Sequence, residues 1–118
     1  MKKFRKAFCP NPSIRFDSSP LREIADEIFY VCDSPIYDDL VGDEHRSRFE
    51  SRVEAAMENF DPETDILVFI GDVFIFSAML FEAFSSTPDD VDINIKIARY
   101  SVKSNRYIVR SLTEKIHA

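Results

Sequence analysis

A chain of 118 residues, 45% apolar and 31% charged, has the composition of one globular domain, long enough to bury roughly two thirds of its unfolded surface without staples. Two glycines nearly exclude a glycine-rich phosphate loop, and two cysteines are too few for a disulfide-dependent secreted scaffold. The net charge of −6 hides a segregation: residues 1–15 carry five basic side chains and no acid, 16–90 carry nineteen acids against four arginines, and 91–118 carry six bases against two acids. Basic ends and an acidic middle can neutralise each other in the fold; if the ends are neighbouring strands, one edge becomes positive instead.

In chain order, Lys2 to Cys9 alternates weakly and predicts a first strand, closed by Pro10 and Pro12. The opening MKKFRKAFC lacks an apolar stretch behind its charges and does not resemble a signal peptide. Ser18-Ser19-Pro20 is a helix-start signal, with Ser19 as the cap and Pro20 at the first helical position. Leu21, Ile24, Ala25 and Ile28 then fall on one helical face, so a short helix is expected, followed by a strand from Ile28 to Cys32. Asp33 to Glu44 is a loop holding five acids. Arg46 to Phe60 predicts a better helix, its stripe made by Phe49, Val53, Ala56, Met57 and Phe60. Asp61-Pro62 ends it, because the residue before proline avoids the helical region.

Ile66 to Ile70 is a continuous apolar run of strand length, the pattern of a central strand covered on both faces. Asp72 then caps a helix from Val73 to about Phe84 that is apolar nearly all round, and is therefore expected in the interior or in a subunit interface. The run is broken by Gly71, Asp72 and Glu82. An acid in mid-bilayer costs about 3 kcal/mol, so no membrane span is expected and the cytoplasm is the default address. Ile93, Ile95 and Ile97 alternate with polar or small residues as a half-buried strand. Lys103-Ser104-Asn105 is a turn signal, and Arg106 to Leu112 a returning strand. Strand, helix, strand from 66 to 98 makes a βαβ unit.

These elements bear on several candidate chemistries. Gly71-Asp72 sits where ligands bind in open α/β sheets, beyond the carboxyl end of a strand. One glycine, no following lysine and a carboxylate in the phosphate position favour a structural corner over a nucleotide site. Cys9 or Cys32 with His45 is a nucleophile pairing that spacing does not support, and both thiols are expected buried and reduced. His45, His117 and two separated cysteines form no zinc pattern. Asp38, Asp39, Asp43 and Glu44, with His45, could offer oxygens to a divalent cation but lack EF-hand spacing. No metal, cofactor or catalytic set is therefore expected. On the last hairpin, Lys96, Arg99, Tyr100, Lys103, Arg106, Tyr107 and Arg110 interleave bases with aromatics. That pattern either contacts phosphates and stacks bases, or only discourages strand addition at an edge.

The segment FDPETDILVFIGD, Phe60 to Asp72, runs from an acidic turn through an apolar strand to Gly71-Asp72 ahead of an apolar helix. In that order it resembles small phage-encoded α/β accessory proteins of unassigned function. The resemblance implies a phage accessory protein with a compact α/β fold and no particular mechanism, placed in the host cytoplasm.

The expected architecture is α/β: a single compact domain, with a mixed four- to five-stranded sheet, helices on both faces and a C-terminal β-hairpin. Ile66–Ile70 is central and 106–112 lies at an edge. The expected function is a non-catalytic accessory or inhibitor protein. It binds a host or phage protein through an acidic surface, with Asp38, Asp39, Asp43 and Glu44 as the partner-binding residues. The alternative is nucleic-acid binding through the basic aromatic hairpin. A homodimer through an exposed part of the 73–84 helix is a further expectation to test.

Overall fold

The computed structural model describes residues 3–12, 19–32, 43–85 and 93–114, with side chains for 3–12, 19–32, 50–85 and 94–112. Five strands form one mixed sheet: β1 (Phe4–Cys9), β2 (Ala25–Tyr30), β3 (Ile66–Phe69), β4 (Ile93–Ser101) and β5 (Arg106–Glu114). Two helices join them, α1 (Asp43–Met57) and α2 (Val73–Ser85), with a 3-10 turn at Ser19–Glu23. The spatial order is β2-β1-β3-β4-β5. The first four strands pair in parallel, and β5 returns antiparallel on β4 as the expected hairpin at the edge. β3 is central, and Ile66, Leu67 and Val68 are fully buried, which is why that run carries no alternation.

The chain steps one way from β1 to β2 and the other way from β2 to β3 and β4. Right-handed crossovers then place the two sets of connections on opposite faces. The buried clusters record this. Phe8, Leu67 and Ile95 pack with Val53 and Met57 of α1 and with Ile75, Phe76 and Met79 of α2. On the other face Ala7, Ile66, Val68 and Ala98 pack with Leu21 of the 3-10 turn and with Tyr107. Among the described residues, helices on both faces thus takes an unequal form, two α-helices on one side and a 3-10 turn on the other.

Two expectations need correction, and one conditional reading falls away. The helix expected after Ser19 is only that 3-10 turn, and Ala25 and Ile28 belong to β2. The Ile24 carbonyl accepts from the Phe4 N–H at 2.8 Å, so the ladder with β1 claims the backbone that a helix would need. Helical spacing over eight residues lost to strand pairing, a tertiary override of local propensity. Secondly, α1 starts at Asp43, not Arg46, so Asp43 and Glu44 form its first turn, where acids suit the helix dipole. Thirdly, the basic ends are not neighbouring strands, because β3 lies between β1 and β4.

α1 ends at Met57, three residues short of the Phe60 expected from the Asp61-Pro62 signal. Beyond α1 the chain turns at Asp61 to Thr64, and Phe60 seats its ring edge-on against Phe8 at 5.3 Å. In the β4–β5 turn Asn105 takes φ 54°, a left-handed conformation that asparagine tolerates.

Candidate functional site

The strand order reverses at β1, so the crevice beyond the carboxyl ends of β1 and β3 is the topological switch point. In this protein that crevice is filled from within. Asn11, just past β1, is 1% exposed, and its Oδ1 accepts from the Asp72 N–H at 2.7 Å. Gly71 stands at φ 82°, and a Cβ there would fall 2.1 Å from Asn11 Oδ1 and 2.6 Å from the Asn11 carbonyl oxygen. Asp72 Oδ1 accepts from the N–H groups of Phe74 at 2.8 Å and Ile75 at 3.1 Å. The donors that would meet a phosphate at the start of α2 are therefore satisfied by the chain's own carboxylate. The Gly71-Asp72 pair is a structural corner. Asn11 was not legible as its partner; the Pro10-Asn11-Pro12 sequence signalled only a strand end.

At the opposite end of β3 a second polar group is buried. Asp65 is fully buried and accepts from Arg5 Nε at 2.9 Å and Nη2 at 2.7 Å, the paired geometry that guanidinium favours. The Asp61 N–H donates to Asp65 Oδ2 at 2.8 Å and the Thr64 hydroxyl to Oδ1 at 3.2 Å. Burial is the strongest single influence on this carboxyl and pushes its pKa up. The Arg5 hydrogen bond, the Asp61 N–H, the Arg5 charge and the Thr64 hydroxyl act against it, and together hold the pKa below the ordinary carboxylate value. Every oxygen lone pair aims at a local donor, so the group ties β1 to the turn before β3 and is not poised for proton transfer. Sequence reasoning counted Arg5 only as part of a basic end and passed over Asp65. An acid immediately ahead of an apolar strand was the available signal.

Two further N-terminal bases, Lys3 and Lys6, are also used internally. Lys3 donates to the Arg22 carbonyl at 2.8 Å, and Lys6 lies 3.8 Å from Glu27. Of the described N-terminal bases, Arg5 and Lys6 meet acids of the middle segment, while Lys3 meets a carbonyl.

Both cysteines are free and buried. Burial pushes the Cys9 thiol up to about 12, so it stays protonated and unreactive at neutral pH. Among the described residues no three His, Cys, Asp or Glu side chains are grouped to hold a metal ion.

Of the four acids expected to bind a partner, Asp38 and Asp39 lie outside the described residues. Asp43 and Glu44 open α1, and their side chains also lie outside the described set. Glu50 and Glu54, one turn apart on α1, and Glu82 on α2 line a groove of about 320 Å³ together with Val53, Ala78 and Phe81. Phe81 is 69% exposed, and Phe74 at the start of the same helix is 66% exposed. The outer side of α2 is thus apolar and open, while Ile75, Phe76, Met79 and Ala83 supply its buried side. The all-round apolar sequence of α2 therefore divides into two faces, one in the core and one at the surface.

The basic hairpin is divided by the sheet. Residues directly opposite across β4 and β5 share a face. Arg99 pairs with Ile108, Ile97 with Arg110 and Ser101 with Arg106, and Ile97 packs toward the helices. Arg99, Arg106 and Arg110 hence project on the helix side. Tyr100 and Tyr107 pair with each other and project on the opposite side, their rings edge-to-face at 5.3 Å. Tyr107 is 8% exposed, and the Tyr100 hydroxyl donates to Asn105 Oδ1. Lys96 lies on the tyrosine side and donates to the Ser111 hydroxyl at 2.9 Å. Lys103 is exposed in the turn. The interleaving seen along the sequence does not become one basic aromatic platform, so the base-stacking geometry of the nucleic-acid alternative is not assembled.

No helix among the described residues is long and apolar enough to cross a membrane. No family model matches the chain, and no curated protein or solved structure does.

Proposed function

We propose that this protein is a non-catalytic accessory protein that acts by binding another protein chain on the outer side of α2 and the adjoining acidic rim of α1. One observation carries the reading. Phe74 and Phe81, each about two-thirds exposed, stand on a helix whose flank is lined by Glu50, Glu54 and Glu82. Large aromatic side chains left open in a group and rimmed by charge mark an interaction surface. The position where an α/β fold ordinarily holds a small ligand is filled by Asn11, which points the same way.

The acidic contribution is retained in this reading, but moved along the chain. It centres on Glu50, Glu54 and Glu82 beside the exposed phenylalanines. An inhibitor role follows where the partner's own working surface is the one covered.

The test is affinity capture with the intact protein and three variants. Phe81→Ser and the double change Glu50→Lys, Glu54→Lys should each release the specifically retained chains, while Lys103→Glu in the distant turn should keep them. Identical capture by all four proteins would remove α2 as the binding surface.

A further inference from the structure

The helix-bearing side of the sheet is unevenly covered. α1 and α2 pack over Phe8, Leu67 and Ile95, while toward the β5 edge the same side presents open side chains. Arg99, Arg106 and Arg110 are exposed there, Leu112 is 42% exposed and Ile108 is half-buried. This is an apolar shelf with three arginines, lower than the ridge made by α2. The ridge is complementary to it: Phe74 and Phe81 along its crest, with Glu82 and the α1 glutamates Glu50 and Glu54 on the flank away from β5. A sheet face is stable when another element covers it, and here the matching element lies on the same molecule, facing the wrong way to cover its own shelf.

We propose that two copies of this chain pair face to face about a two-fold axis parallel to α2, each laying its α2 ridge on the β4–β5 shelf of the other. This rests on the reading of the α2 surface as protein-binding, and names the partner as a second copy.

The axis direction follows from charge. The acids lie on one side of α2 and the arginines on the other, because the sheet order sets α1 toward β1 and places β5 beyond β4. Rotation about an axis parallel to α2 exchanges left and right, and brings acids over arginines. Rotation about an in-plane axis perpendicular to α2 would set acids over acids. The parallel axis also keeps the order along the helix. α2 returns against the direction of β3 and β4, and so runs with β5. Phe74 and Phe81 are about 10 Å apart along a helix, and Ile108 and Leu112 about 13 Å apart along a strand. Phe74 then meets the Arg106–Ile108 end of the shelf and Phe81 the Leu112 end, with Glu82 beside Arg110. In such an isologous pairing each contact is made twice.

The experiment is sedimentation equilibrium on the full chain from micromolar to millimolar concentration, with circular dichroism to confirm that each variant is folded. The wild type should reach twice the 13.7 kDa chain mass. Phe81→Glu should weaken pairing at least about tenfold, or 1.4 kcal/mol. Glu82→Arg and Arg110→Glu should each weaken it, and the two combined in one chain should return it to within about threefold of wild type, because the reversed charges meet again across the axis. A wild type that stays at the single-chain mass at millimolar concentration overturns the pairing, as does a dimer unmoved by Phe81→Glu, or a double variant no tighter than the singles. A monomeric wild type that still loses a captured protein on Phe81→Ser overturns the pairing and leaves the protein-binding reading standing.

Discussion

β3 is tied to β1 at both ends, and the two ties use different chemistry. At the amino end Arg5 reaches from β1 to Asp65, an ion pair with one partner fully buried and the other 52% exposed. At the carboxyl end Asn11 reaches from β1 to the Asp72 N–H, a neutral contact against a glycine with no room for a Cβ. The first can take up water around its guanidinium and is sensitive to pH. The second rests on a buried amide and carries no titratable group. In an open α/β sheet the carboxyl end is where ligands ordinarily bind, and this protein spends that end on packing.

The sharpest way to break the comparison is Gly71→Ala. A side chain at φ 82° and the overlap with Asn11 together should cost about 2–4 kcal/mol, seen as a lower urea midpoint. Asp65→Asn comes next. It leaves Arg5 and the Asp61 N–H with a poorer acceptor, and should cost about 1–3 kcal/mol. Asp72→Ala removes the α2 cap and should cost about 0.5–2 kcal/mol, with helix loss at the α2 start visible by amide exchange.

The pH behaviour separates the two ties further. The folded pKa of Asp65 lies below its unfolded value. Its contribution to stability is therefore fully present above the unfolded value of about 3.9, and is lost as pH falls through the folded one. Urea midpoints of the wild type should fall over that acid range more steeply than those of Asp65→Asn. Asn11→Ala should leave the slope unchanged. If Asp65→Asn and wild type lose stability in parallel, the carboxylate is not the acid-sensitive tie.

The smallest expected effect is kinetic. Cys9, fully buried at the end of β1 and with its thiol pushed up to about 12, should react with a thiol reagent near neutral pH only as fast as the sheet opens. Reaction at the rate of a free thiol would mean that the carboxyl end of β1 is open.

Much of this fold was legible in the residues. The unbroken run at Ile66 gave away a central strand, because burial on both faces removes the need for alternation. The alternating isoleucines of β4 and the Lys103-Ser104-Asn105 turn announced the hairpin. The capping role of Asp72 followed from its position alone. The site was less legible. Helical spacing at Leu21, Ile24, Ala25 and Ile28 was real, but four residues cannot report that β1 would claim their backbone. Arg99 and Arg106 each stand next to a tyrosine in the sequence, and adjacent strand residues point to opposite faces of a sheet.

What the sequence determined by itself was therefore local: where strands and turns fall, which carboxylate caps which helix, and that phosphate-loop chemistry has no place. These depend on spacing, backbone preference and hydrogen-bond supply within a few residues. Only the tertiary structure decided that Asn11 meets Gly71, that Arg5 meets Asp65, and that Phe74 and Phe81 stay at the surface while Phe76 is covered. Such contacts join residues up to sixty-one positions apart, and the distances between them are set by sheet order and helix placement, which no local pattern encodes.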